Sequence, residues 1–308
     1  MTSLYISATH KSSGKTTVTS GLCAALKKRG QQVQPFKKGP DYIDPIWLQM
    51  AAQQPCYNLD FFVAGRQQTL EDFYRHSQGA DISIIEGNKG LYDGLDLDGS
   101  NSNAALANAL KTPVILVVDA RGTMRGIAPL LMGYQAFDKD INIAGVIANM
   151  TGGTRHEDKL RAAVEHCTDI PFLGAIGLQN SISIEEKHLG LVPGNEDPEA
   201  PNRIKRITEV IENSIDLSQL VSLAGETRMP SGNHSKQNRP ARYRGLKIAI
   251  ARDRAFGFYY QSDLDTFQAL GAELIPFDTL ADSSLPPVDG LFIGGGFPER
   301  YAAELSAN

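Results

Sequence analysis

The stretch Ser12-Ser13-Gly14-Lys15-Thr16-Thr17, directly behind the apolar run Leu4-Tyr5-Ile6-Ser7-Ala8, decides the fold of most of this 308-residue chain. A short buried strand, a loop of small residues and re-entry into a helix through Gly-Lys-Thr make a phosphate-binding loop. The N–H groups of such a loop and of the helix N-terminus converge on a polyphosphate, and the helix dipole favours negative charge there. Ser13 and Gly14 belong to the cradle, Lys15 reaches the β- and γ-phosphates, and the Thr16 hydroxyl is placed for Mg²⁺, with Thr17 beside it. ATP or GTP is therefore the expected cofactor. The usual pattern also wants glycine at position 9, where this chain has Thr9. A Ser/Gly-rich turn before an ordinary surface helix is the plainer alternative. A partition-type ATPase would carry a second lysine at position 10, which is His10, with Lys11 one place off.

Working outward, Val18, Leu22 and Leu26 are spaced four apart and give the following helix one apolar face. Lys27, Lys28 and Arg29 suit its last turn, and Gly30 suits its C-cap. Apolar runs without polar alternation recur at 33–36, 82–85, 114–118, 143–148 and 172–176. Such runs suit strands covered on both faces. Helical segments are predicted at 103–110, 127–137 and 157–166. The pattern is an α/β fold with a doubly wound parallel sheet, in which ligands collect at the carboxyl ends of the strands. The polar stretch from 226 to 244 has no periodicity and reads as a linker. A strand pattern restarts at 247–251, followed by a helix at 264–270 and a strand at 291–293 that runs into Gly294-Gly295-Gly296-Phe297-Pro298-Glu299. The expected division is 1–225, a linker at 226–244, and a second, incomplete unit at 245–308.

Net charge of −5 argues against a nucleic-acid binder that relies on a global positive field. No apolar run approaches the ~20 residues of a membrane span, and no N-terminal signal pattern is present. Cys23, Cys56 and Cys167 form no CxxC pair and read as reduced thiols of a cytoplasmic protein.

Two further loops carry chemistry. In Phe36-Lys37-Lys38-Gly39-Pro40-Asp41-Tyr42-Ile43-Asp44-Pro45, the lysines suit phosphate or substrate carboxylates and the aspartates suit Mg²⁺. A Gly-Pro turn whose aspartates bond to local backbone explains the same residues. In Ile84-Ile85-Glu86-Gly87-Asn88-Lys89-Gly90-Leu91-Tyr92-Asp93-Gly94, Glu86 ends a buried strand. A carboxylate there needs a metal or a lysine partner, because desolvating it alone is costly. Beside a nucleotide loop, these acids and lysines suit phosphoryl transfer to an oxygen nucleophile.

Together, Ser12–Thr17, the string at 36–45, Asn58-Leu59-Asp60, Glu86-Gly87 with Gly90-Leu91-Tyr92-Asp93-Gly94, and 294–299 resemble the cobyrinate a,c-diamide synthase family along essentially the whole chain. The resemblance implies a dethiobiotin-synthetase-like P-loop domain and the start of a flavodoxin-like class I glutamine amidotransferase domain. It implies that ATP phosphorylates the a and c acetates of a tetrapyrrole, and that ammonia from glutamine then displaces phosphate. By motif, Ser13, Gly14, Lys15, Thr16 and Thr17 would hold ATP phosphates, and Asn149 the adenine. Thr16, Asp41 and Glu86 would hold Mg²⁺. Asp41, Glu86 and Asp93 would support carboxylate activation, with Lys37 approaching the transferred phosphate. Tyr42 and Ile43 would hold substrate. A homodimer is compatible with this reading.

The chain departs from the family's pattern at Leu48, where His is frequent, and at Asn88-Lys89, where Val-Met is frequent. Lys89 is placed to read extra substrate carboxylates, and a sister group amidates sirohaem-type rings. The glutaminase cysteine and histidine of the family lie beyond position 308, so this polypeptide is expected to be truncated and unable to hydrolyse glutamine. A single-domain dethiobiotin-synthetase-like ligase and a non-catalytic nucleotide-binding fragment are the competing readings.

Overall fold

A computed structural model describes residues 2–187, 190–226 and 242–308. The linker expected at 226–244 therefore falls largely on 227–241, outside the described residues.

Seven parallel strands form the main sheet: β1 (Thr2–Ala8), β2 (Val33–Lys38), β3 (Tyr57–Leu59), β4 (Ile82–Glu86), β5 (Val114–Asp119), β6 (Ile143–Thr151) and β7 (Phe172–Gly177). Their order is β3-β2-β4-β1-β5-β6-β7. The helices between them are α1 (Lys15–Lys28), α2 (Asp44–Ala52), α3 (Gly65–His76), α4 (Asn103–Leu110), α5 (Ile127–Phe137) and α6 (Thr154–Cys167). A short antiparallel pair, β8 (Glu186–Lys187) and β9 (Gly190–Leu191), leads to α7 (Ala200–Ser214) and α8 (Leu217–Ser222). β10 (Gly225–Glu226) returns antiparallel to the start of β1.

Residue parity sorts the core onto the two faces of the sheet. Leu4, Ile6, Ile82, Ile84, Ile115 and Val117 pack on one face with α1, α2, α7 and α8. Tyr5, Ile85, Val114, Leu116 and Val118 pack on the other with α3 to α6. The continuous apolar runs are continuous because both faces are covered. The predicted helices at 103–110 and 127–137 coincide with α4 and α5, and Gly30 closes α1 at φ +88°. Among the described residues no helix is long and apolar enough to cross a membrane.

The second unit has β11 (Lys247–Ala251), β12 (Phe256–Phe258), α9 (Gln261–Ala269), β13 (Glu273–Phe277), β14 (Gly290–Phe292), β15 (Gly295–Gly296) and α10 (Ala302–Ala307). β13-β11-β14 is a parallel sheet, while β12 and β15 pair antiparallel. Glu196 ties the two units together by accepting from Arg300 Nη1 at 2.6 Å and from Tyr301 Oη at 3.1 Å. Tyr57 Oη on β3 donates to Asp265 Oδ2 on α9 at 2.9 Å.

Candidate functional site

A cleft of about 570 Å³ opens at the carboxyl ends of β1, β2 and β4. Ser12, Gly14, Lys15, Thr16 and Thr17 line its floor. Gly14 sits at φ +80° as the residue before α1, and the first turn of α1 contains no acidic side chain. The opening N–H groups of a helix have no intrahelical partners, so this terminus presents free donors and positive dipole to the cleft. A Cβ at position 14 would collide with the Asn149 amide. Asn149 Nδ2 donates to the Ser13 carbonyl at 2.8 Å, and the buried Ser13 hydroxyl donates to the His10 carbonyl at 2.8 Å. Both side chains thus hold the shape of the loop. This bond uses one Asn149 donor at the back of the loop, and its neighbour Met150 lines the cleft.

Strand register sets the chemical centre. Glu86 on β4 lies opposite Lys37 on β2 and Ile6 on β1. By parity with Ile82 and Ile84 its side chain points toward α1, and Thr16 Oγ1 donates to Glu86 Oε1 at 2.8 Å. The same oxygen accepts from Lys37 Nζ at 2.9 Å. Lys37 also donates to Asp44 Oδ2 at 2.5 Å and to the Gly87 carbonyl at 3.1 Å, and is essentially inaccessible to solvent. Its three donors are satisfied within the protein. Lys37, expected to approach the transferred phosphate, lines the cleft and serves here as the counter-ion of the acid cluster.

Asp44, one of the two aspartates expected to suit Mg²⁺ but outside the set that the family resemblance implies, is bonded to Lys37, whereas Asp41 Oδ2 stands 3.7 Å from the ammonium. Asp41 uses Oδ1 to accept from the N–H groups of Ile43 and Asp44 at 2.9 and 3.0 Å, capping the entry to α2. Burial pushes Glu86 up to about 7, opposed by Lys37 and reinforced by Asp44. Burial likewise lifts Asp41 to about 6, against the pull of Lys37. Partial burial raises Asp44 as well, but the Lys37 ammonium holds its carboxyl below the usual range. Lys37 is pushed up by Asp44, Glu86 and Asp41, which outweigh its burial.

Three carboxylates around one buried ammonium leave room for more positive charge. Glu86 Oε2 is buried with no hydrogen-bond partner, a costly state for a carboxylate oxygen. The Thr16 hydroxyl, Glu86 and Asp44 therefore fit Mg²⁺, which takes one or two carboxylates together with phosphate oxygens and water. Among the described residues no three His, Cys, Asp or Glu side chains form a self-sufficient metal cage, and Mg²⁺ beside a triphosphate does not need one.

Lys15 Nζ donates to the Lys89 carbonyl at 2.6 Å. Burial, with Lys37 nearby, lowers its pKa to about 8 against Glu86, Asp44 and Asp93. Lys89 sits at φ +43° and lines the cleft, as do Tyr42 and Ile43. Asp93 is exposed and does not line it; its Oδ2 accepts from the Gly90 N–H at 2.9 Å. In this structure Asp93 shapes the loop at 90–93.

Sequence reasoning passed over Asn103, whose Oδ1 accepts from Tyr5 Oη and the Asn88 N–H, both at 3.0 Å. Asn103 Nδ2 donates to the Gly90 carbonyl at 2.6 Å and to that of Asn88. It pins the loop that carries Lys89. Phe258 and Phe297, which complete the cleft wall from the second unit, were also missed.

A family model described as an AAA domain matches residues 2–186, and one described as a CobB/CobQ-like glutamine amidotransferase domain matches 247–308. The chain is 47% identical over 99% of its length to a cobyrinate a,c-diamide synthase of Magnetococcus marinus, covering 66% of that protein. It is 43% identical over 99% of its length to one of Methanosarcina acetivorans, covering 64%. It is 41% identical over its full length to one of Listeria innocua, covering 68%. The chain thus spans about two thirds of the length of these curated relatives. Among solved structures, chloroplast FtsY of Physcomitrella patens superposes with a TM-score of 0.41 at 20% identity, covering 58% of this chain and 59% of that one. That likeness is too slight to bear on function.

Proposed function

The chain belongs to the cobyrinate a,c-diamide synthase family, and from that premise we propose that it performs the ATP-dependent amidation of the a and c acetates of cobyrinate. Each carboxylate attacks the γ-phosphorus of ATP, giving an acyl phosphate and ADP. Ammonia derived from glutamine then adds to the acyl carbon and phosphate leaves. The observation that carries this reading is the partnerless Oε2 of Glu86, a carboxylate whose other oxygen accepts from Thr16 at the start of α1.

In this reading the N–H groups at the start of α1 and the Lys15 ammonium bind the triphosphate, and Lys15 exchanges the Lys89 carbonyl for a phosphate oxygen. Thr16, Glu86 and Asp44 hold Mg²⁺, which when bound neutralises charge on the phosphates. Lys37 keeps the acids in place and opposes the effect of burial on their charge. Asp41 fixes the entry to α2, so that Tyr42 and Ile43 face the substrate. Lys89 meets a peripheral carboxylate of the ring. The division at 1–225 and 245–308, a cytoplasmic setting and glutamine as nitrogen source belong to the same proposal.

The test supplies ammonium chloride, so that nitrogen delivery is not limiting. Purified protein is given MgATP and cobyrinate, and ADP and diamide are measured, with sirohaem in a parallel arm. Stoichiometric ADP and amide on cobyrinate, abolished by Lys15→Ala, is the expected result. Turnover unchanged by Lys15→Ala, or amidation on sirohaem alone, would overturn the assignment.

A further inference from the structure

Every phosphate-facing and acidic residue of the cleft comes from the first unit, yet part of its wall is Phe258 and Phe297 from the second. Phe258 lies parallel to Tyr42, with ring centroids 5.8 Å apart and planes at 12°. Phe297 meets Phe258 edge-on at 5.2 Å and 83°. Tyr260 supports Tyr42 from beside it at 4.8 Å. The result is an aromatic cluster that spans the junction of the two units.

The triple glycine explains how these rings are delivered. β15 lies against β12 in register Phe258↔Gly295. A Cβ at Gly295 would stand 3.3 Å from Phe258 Cβ, and one at Gly294 would stand 2.7 Å from the Phe258 carbonyl oxygen. One at Gly296 would fall on the Ala255 carbonyl. Only a strand without side chains can approach β12 this closely, and that approach sets Phe258 and Phe297 at the cleft.

The remaining walls near the acid cluster are charged: Lys15, Lys37, Asp41, Asp44 and Lys89. The cleft therefore suits a ligand with carboxylates on one side and a broad, flat apolar body on the other. The aromatic surface sits on the β2 side of the phosphate loop, whereas Asn149 and Met150 lie at the end of β6, beyond β1 on the opposite side. The two sides can take different ligands.

We propose that Phe258 and Phe297, together with Tyr42, form the surface on which the ring face of the tetrapyrrole rests. The amidotransferase-like unit then takes part in selecting the substrate. This rests on the amidation reading above. The acetate arm reaches the acid cluster, and the macrocycle lies at the mouth against the three rings. Flat apolar contact of this kind strengthens binding without touching the reacting atoms.

The test is a visible-absorbance titration of cobyrinate into the whole chain and into Phe258→Ala, Phe297→Ala and the double variant, with MgATP affinity measured in parallel. Ammonium-driven amidation separates KM from kcat. Phe258→Leu keeps apolar volume without a flat face, and it decides the matter if an alanine variant fails to fold. The expected result is a rise of about tenfold in Kd and KM for cobyrinate with each alanine, and about threefold with leucine. MgATP affinity and kcat should stay within twofold. If wild type binds cobyrinate and the folded variants bind it equally well, the inference alone falls. If the variants lose MgATP affinity instead, the wall serves the nucleobase and the inference is overturned. If wild type binds MgATP but no cobyrinate, the amidation reading fails and takes the inference with it.

Discussion

The base of the cleft and its mouth are built by different physics. At the base, Lys37 and Glu86 are buried, lie opposite each other on adjacent strands and are bonded at 2.9 Å. Sheet register fixes them, and a shift of one residue would turn both side chains to the other face. At the mouth, Tyr42, Lys89, Phe258 and Phe297 stand on loops and strand ends from two units, with Tyr42 41% exposed. The base has little freedom and suits a reaction shared by a family. The mouth can change residue by residue and suits the choice of substrate.

The largest expected effect attacks the base. Lys37→Ala leaves Glu86, Asp44 and Asp41 without their ammonium, and breaking a buried ion pair from one side costs about 3–5 kcal/mol. Urea unfolding should show that loss, and Glu86→Gln added to Lys37→Ala should restore part of it. A loss under about 1 kcal/mol, within the range of exposed pairs, would mean that the cluster is not a buried ion network.

Next comes the triphosphate contact. Lys15→Ala should lower ammonium-driven kcat by at least about 100-fold, the scale of one lost electrostatic stabiliser. Because Lys15 meets only a carbonyl among the hydrogen bonds of the protein itself, the thermal midpoint should hardly move. That pattern, activity lost with stability kept, is the reverse of the one expected for Lys37→Ala.

A third effect concerns pH. The folded protein holds the Glu86 proton up to about 7, against an ordinary value of 4.5. A carboxyl raised on folding binds more protons in the native state across that window, so its contribution to stability falls as pH rises through it. Asp41, lifted from 3.8 to about 6, acts in the same direction. Asp44, held below its ordinary value by Lys37, acts oppositely: its contribution is lost as pH falls below about 3.8. The metal-free protein should therefore lose stability between pH 4.5 and about 7. Glu86→Gln should flatten that slope in calorimetry, and an unchanged slope would place the titration elsewhere.

The sheet and the base of the cleft were legible because periodicity and position say the same thing there. The run at 82–85 ends in Glu86, and a carboxylate at the end of a buried strand needs a partner; that partner is Lys37 on the neighbouring strand. Asp44 could be noticed but not ranked above Asp41. That choice depends on where α2 begins, and Asp41 spends one oxygen on that start. The roles of Asn149 and Asp93 came from the family resemblance alone, because no local pattern gives their bonds to the Ser13 carbonyl and the Gly90 N–H. Phe258 and Phe297 were hidden for another reason. Their place comes from the approach of β15 to β12 and from contacts more than 200 residues apart in the chain, which no local pattern encodes.

The smallest effect lies where base and mouth join. Asn103→Ala removes bonds to Asn88 and Gly90 while leaving the cleft residues in place. A loss of about 1–3 kcal/mol is expected, with hydrogen exchange rising at 87–90 rather than in β4. Uniform exchange across the sheet would show that Asn103 supports the core and not the loop.

The central claim is that a substrate carboxylate takes the γ-phosphoryl group at the Thr16–Glu86 corner before nitrogen arrives. Cobyrinate labelled with ¹⁸O in its a and c carboxylates, turned over with MgATP and ammonium chloride, tests this most directly. One ¹⁸O should appear in inorganic phosphate for each amide formed; amide formed with unlabelled phosphate would contradict the account.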